Sequence, residues 1–100
     1  MDLYRDLAAR FLERESSRVG LITVTHAEVR GEGEEVRVYL SIYPREKQKE
    51  ALGFARRKLH DLRAFVMQET RMKSVPRFSF APDLGEQNRQ RIEELLSSSD

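Results

Sequence analysis

The chain has 100 residues, 18 basic and 17 acidic side chains for a net charge of +1, 39% hydrophobic residues and no cysteine. That length supports one core and excludes a second domain, and the lack of cysteine excludes a disulfide scaffold, a thiolate zinc site, an iron–sulfur cluster and a cysteine nucleophile. No apolar run approaches the roughly 20 residues of a membrane helix. Met1-Asp2-Leu3-Tyr4-Arg5 has neither part of a signal peptide, so a cytoplasmic protein without a membrane contact is expected.

Residues 3–15 predict an amphipathic helix. Leu3, Tyr4, Leu7, Ala8, Phe11 and Leu12 recur at three and four residues, which gathers them on one stripe. Asp2 is the expected N-cap, and Ser16-Ser17 with Gly20 mark the exit. Residues 21–29 are rich in β-branched side chains and read as a strand. Ile22 and Val24 share one parity, and Ala27 and Val29 share the other. A bulge near Thr25–His26 is expected to return the second pair to the core face. Gly31-Glu32-Gly33 is a turn. Beyond it Val36, Val38, Leu40 and Ile42 alternate with Arg37, Tyr39, Ser41 and Tyr43, the pattern of a strand with one buried and one wet face. The two strands form an antiparallel hairpin.

Pro44 ends the second strand. A long helix is predicted over 46–70, with Leu52, Ala55, Leu59, Leu62 and Val66 on its core stripe. Arg56, His60 and Arg63 form a polar stripe beside it, and Gly53 is placed near a soft first turn. Residues 75–80 read as a third strand with Phe78 and Phe80 on one face and Pro76 at its start or on an edge. Asp83-Leu84-Gly85-Glu86 has the form of a capping box for a last helix over 85–96 whose Ile92, Leu95 and Leu96 face inward. The expectation is therefore an α+β domain over 1–96 with order α–β–β–α–β–α and a frayed tail at 97–100. Helices cover one face of a three-stranded sheet, strands two and three run parallel through a right-handed crossover, and the other face stays partly open.

The chemistry of catalysis is missing. His26 and His60 have no second histidine at ligand spacing and read as structural or surface residues. Glu34-Glu35 and Glu93-Glu94 are solvated pairs, without the burial that paired carboxylates need. The serines lie in no G-x-S-x-G context, and Gly31-Glu32-Gly33 has acidic flanks and no following GKS or GKT. No catalytic residue, metal, cofactor or small-molecule substrate is expected.

Charge is distributed unevenly. Residues 1–44 sum to −2 and residues 78–100 to −3, whereas residues 45–77 hold ten basic against four acidic side chains, +6. Such asymmetry points either to a polyanion partner or to a solvated helix face. Arg56, Arg57, Lys58, His60 and Arg63 on the middle helix, followed by Arg71, Lys73 and Arg77, are suited to a phosphate backbone, because each guanidinium engages phosphate oxygens in pairs. Arg56, His60 and Arg63 are the first expected contacts, and reversing the charge of Arg56 and Arg63 is expected to leave the fold intact. Tyr39 and Tyr43 on the wet face of strand two are candidates for base stacking. A different class of reading is a protein-interaction module that uses the open sheet face or the edge strand near Pro76, with the basic helix merely solvated.

Four stretches together resemble the ribosome-binding factor A family of bacterial small-subunit assembly factors. They are Leu21-Ile22-Thr23-Val24-Thr25, Val38-Tyr39-Leu40-Ser41-Ile42, Ala51-Leu52, and Met72-Lys73-Ser74-Val75-Pro76-Arg77-Phe78-Ser79-Phe80 with Asp83 and Ile92-Glu93-Glu94-Leu95-Leu96 after it. The resemblance spans about residues 3–96. It implies a KH-like domain of type II topology and binding, as a monomer, to 16S rRNA in the immature 30S subunit. It also implies a cytoplasmic location and no catalysis. In that family a helix–kink–helix carrying A-x-G replaces the GxxG loop of KH domains. The matching position here is Lys58-Leu59-His60, with neither the alanine nor the glycine, so a straight helix is expected.

Overall fold

The computed structural model describes residues 2–15 and 19–97. The Ser16-Ser17 exit signal and most of the expected tail lie outside the described residues, while Ser97 is still helical. Helix α1 spans Leu3–Arg14 and is capped by Asp2, whose carboxylate accepts the Arg5 N–H at 3.0 Å. Strands β1 (Leu21–Arg30) and β2 (Glu35–Tyr43) pair antiparallel, and β3 (Arg77–Pro82) pairs parallel with β2, giving the order β1-β2-β3. The hairpin turn carries Gly31 and Gly33 at φ of 65° and 86°, the left-handed region that glycine enters without a Cβ penalty.

The alternation of β2 appears as read: Val36, Val38, Leu40 and Ile42 are buried, and their neighbours on the other face are not. Phe78 and Phe80 of β3 join them from one side and Val24 of β1 from the other. Leu7, Ala8, Phe11 and Leu12 of α1 close the core from above, with Phe11 and Phe65 rings 5.7 Å apart. Among the described residues every buried side chain is apolar.

The bulge occurs where it was expected, with the register shifting between Val24 and His26. It returns only half of the second pair to the core. Ala27 packs against the core, whereas Val29 is 55% exposed. The reason is position. Val36, opposite Val29, is central and flanked by Phe78, but β1 is an edge strand and α1 covers only its first half.

The expected straight helix over 46–70 is corrected. A 3-10 turn over Arg45–Lys47 leads into α2 (Gln48–Arg57), and a separate helix α3 (Leu59–Thr70) follows. The soft first turn is thus the 3-10 segment, and Gly53 sits in the middle of α2. At Lys58 the backbone leaves the helical well, with φ −99° and ψ 6°, and its N–H donates only three residues back, to Ala55 at 2.9 Å. No proline or glycine forces this. A straight helix over 46–70 would run about 37 Å, against roughly 20 Å for a strand the length of β3. The break lets α2 bury Ala51, Leu52 and Ala55 on β2 and β3 while α3 turns to bury Leu62, Phe65 and Val66 against α1 and β3.

Helix α4 (Leu84–Ser97) begins one residue before its predicted start. The inward-facing Ile92, Leu95 and Leu96 are also corrected: they are 57%, 62% and 69% exposed. The apolar face of the sheet is already covered by α1, α2 and α3, so α4 has no core position to fill. An Arg45–Glu94 ion pair of 2.6 Å links it to the body, and Arg89 bridges Glu86 and Glu93 along its surface.

The start of α4 is fixed by Asp83. One carboxylate oxygen accepts the Glu86 N–H at 3.0 Å, and the other accepts the Thr25 hydroxyl at 2.7 Å and lies 3.5 Å from His26 Nδ1. The Thr25 hydrogen bond, then the Glu86 amide and the nearby imidazole, hold this carboxyl below its ordinary value against the opposing effect of burial. A depressed carboxyl contributes stability above its unfolded pKa, lost as pH falls through the native one. Asp83→Asn keeps a capping oxygen and removes the charge. Its urea midpoint is therefore expected to fall below wild type at pH 7, with the gap closing once pH drops under the usual carboxylate range of about 4. A gap that persists at pH 2.5 contradicts this assignment.

Candidate nucleic-acid interface

The eight basic residues expected at the interface occupy the break, the end of α3 and the start of β3. Arg56 and Arg57 end α2, Lys58 is the break itself, and His60 and Arg63 lie in the opening turns of α3. Arg71 is the C-cap of α3 at φ 58°, Lys73 sits in the turn that follows, and Arg77 opens β3. The helix break separates Arg56 from His60 and Arg63, and two members of the expected stripe are already engaged. Arg56 donates to the Phe80 carbonyl at 3.0 Å and Arg63 to the Val75 carbonyl at 3.1 Å. Each guanidinium ties a helix to the β3 segment and retains further N–H groups for an anion. The expectation that reversing both charges leaves the fold intact therefore acquires a stability cost. A carboxylate at either place meets a carbonyl oxygen and loses a charge-assisted hydrogen bond.

Lys58 turns away from this stripe. Its ammonium lies 3.9 Å from Glu15 and 5.8 Å from the Phe54 ring, on the α1 side of the break. Arg57, His60, Arg71, Lys73 and Arg77 are exposed and make no ion pair among the described residues. This basic band is discontinuous: it holds the break and the opening turns of α3, skips the rest of that helix, where Glu69 is exposed, and resumes at Arg71, Lys73 and Arg77. Sequence reasoning missed Arg37, which stands on the wet face of β2 and lines a cleft of about 500 Å³ together with Arg56. Its only signal was its alternate position in the strand.

The free edge of β3 is poorly suited to adding another strand. The Arg77 amide donates to Glu34, just before β2, and the Asp83 amide to Leu40 of β2, so Phe78 and Phe80 turn their backbone groups outward. Arg56 already occupies the Phe80 carbonyl, and Pro76 and Pro82 remove donors at both ends. Short edges bounded by proline and covered by a charged side chain resist strand addition. Among the described residues no helix is long and apolar enough to cross a membrane.

A family model described as ribosome-binding factor A matches residues 2–96. A ribosome-binding factor A from Streptomyces griseus is 29% identical over 98% of this chain, and the chain spans 64% of that relative's length. The crystal structure of ribosome-binding factor A from Thermus thermophilus has a TM-score of 0.69 at 26% identity, covering 80% of this chain and 88% of that one. The fold alone is shared with two less similar structures. One is a homology model of the Thermus thermophilus factor fitted into a cryo-electron-microscopy map of its 30S complex, with a TM-score of 0.70, 23% identity, and 80% and 87% of the two chains covered. The other is a solution structure of a Thermotoga maritima protein described as a putative ribosome binding factor A, with a TM-score of 0.69, 19% identity, and 79% and 78% covered. With a family match over residues 2–96 and a fold shared with the Thermus thermophilus crystal structure, the chain belongs to the ribosome-binding factor A family and has its KH-like α+β fold.

Proposed function

We propose that this protein binds 16S rRNA in the free, immature 30S subunit and assists its folding and processing without catalysis, acting in the cytoplasm as a monomer. The observation that carries this reading is the set of exposed cations free of ion pairs among the described residues, Arg57, Arg71, Lys73 and Arg77, on the segment with the +6 balance, together with the exposed His60. Arg56 and Arg63 complete it with their remaining donors, and Lys58 marks its border. Membership of the family and a 30S complex for a fold relative support the choice of partner.

The mechanism is positional. Guanidinium and ammonium groups neutralise phosphates, and the rigid two-helix surface holds the attached RNA in one arrangement. The closed edge of β3 weighs against the edge-strand form of the protein-interaction reading. Sucrose-gradient fractionation of cells that carry the tagged protein, at two salt concentrations, tests the proposal. Association with free 30S particles that is stripped at the higher salt is expected. Absence from ribosomal fractions even at low salt would refute it.

A further inference from the structure

The uncovered face of the sheet holds a preformed ring stack. His26 and Tyr39 are register partners on β1 and β2, with ring centroids 4.3 Å apart and planes 14° from parallel. The bulge creates this pair. By taking up Thr25 it brings His26 opposite Tyr39 on the open side. The imidazole is held at one edge, with Nδ1 3.2 Å from Thr25 Oγ1 and 3.5 Å from Asp83 Oδ2. Its side chain is still 52% exposed. On the other flank of Tyr39 the register partner is Ala81 of β3, whose methyl group leaves that side of the ring without a bulky neighbour on that strand. Tyr43 stands four residues further along the same face, about 13 Å away, and is 65% exposed.

Cations flank the stack. The cleft that contains Arg37 and Arg56 is lined also by Ser79, Ala81, Phe80 and Leu59. It therefore runs from the open face, beside the residue next to Tyr39, over the β3 edge to the helix break. The acids of this face are largely occupied. Glu28 lies 3.6 Å from Arg30, Glu35 lies 3.9 Å from Arg37, and Asp83 serves Thr25 and the α4 cap.

We propose that the open sheet face is a stacking platform for an unpaired RNA segment. One base lies against Tyr39 above Ala81, the adjoining phosphate meets Arg37, and the strand continues through the cleft to Arg56 and the basic band. The proposal rests on the RNA-binding reading above and adds a second surface to it. Ring faces accept any base, so the site tolerates sequence, and rings already locked in a stack lose little freedom on binding.

The test uses the full chain and an eight-nucleotide oligoadenylate, followed by anisotropy of a 5′ fluorophore and, with unlabelled oligonucleotide, by protein emission. With three tyrosines and no tryptophan, the protein reports stacking through tyrosine quenching. Wild type is expected to bind with quenching. Tyr39→Leu is expected to weaken binding about tenfold and remove most of the quench, and Tyr39→Phe to retain both. Ala81→Glu leaves the ring in place and obstructs its free side, so its loss of affinity cannot be traced to a damaged stack. Failure of wild type to bind the oligonucleotide, or equal binding by wild type, Tyr39→Leu and Ala81→Glu, overturns the platform. Association of the same proteins with 30S particles separates the two ideas. If it is retained, the platform alone falls, and if wild type binds neither probe, the RNA-binding reading falls with it.

Discussion

Replacing Arg57 by glutamate, Arg71 by asparagine and Lys73 by glutamate in one protein should lower affinity for 30S particles by about a hundredfold at low salt and flatten its salt dependence. The size follows from counterion release. Each phosphate contact contributes about 0.7–0.9 to the slope of log affinity against log salt, so losing three removes roughly 2–3. The positions are chosen because all three side chains are exposed and free of ion pairs among the described residues, and asparagine suits the left-handed backbone at Arg71. Melting should therefore stay near wild type. Arg56 and Arg63 are less informative targets. Their hydrogen bonds to Phe80 and Val75 mean that a loss of binding there mixes lost phosphate contact with a loosened β3. Unchanged affinity and slope in the triple variant, with a native spectrum, would remove the band from the mechanism.

The second large effect concerns stability. Leu62 is 0% exposed and is the first fully buried side chain after the break, on the helix that contacts both α1 and β3. Leu62→Ala should cost about 2–5 kcal/mol, the lost transfer energy plus a cavity. That is a large share of the ~5–15 kcal/mol available to a small domain. A fall in melting temperature of at least about 10 °C follows from the size of the chain. Leu59→Ala, three residues earlier and only half-buried, should cost clearly less. Equal losses at the two sites would mean that the break leaves Leu59 as deeply packed as Leu62, contrary to the structure.

The sequence was most legible where one residue's role depends on its immediate neighbours. The alternation of β2, the Asp2 cap, the hairpin glycines and the bulge near Thr25 all follow from local spacing, and each stands where it was read. The break at Lys58 was not legible, because Leu52, Ala55, Leu59, Leu62 and Val66 keep helical spacing straight through it. Past the break, α3 packs Leu62, Phe65 and Val66 against α1 and β3, long-range contacts that no local pattern encodes. The exposure of Ile92, Leu95 and Leu96 is the same lesson reversed: an apolar stripe shows that a helix has a face, and not that the core has room for it. For the candidate interface, residue type located the basic band, but neither the carbonyl tethers of Arg56 and Arg63 nor the approach of Arg37 to the cleft appears without the third strand in place.

The placement of β2 between a local partner and a distant one has a consequence for how the molecule is made. β1 and β2 are joined by a tight turn, so the hairpin can form as soon as residues 21–43 have left the synthesis machinery. β3 can dock only after residues 44–76 have been made and folded over the sheet. Until then the outer hydrogen-bonding edge of β2 and the apolar side chains of Val36, Val38 and Leu40 stay open to other nascent chains. Loop closure over that crossover is the slow step, and during vectorial synthesis the half-finished sheet is the species most exposed to aggregation.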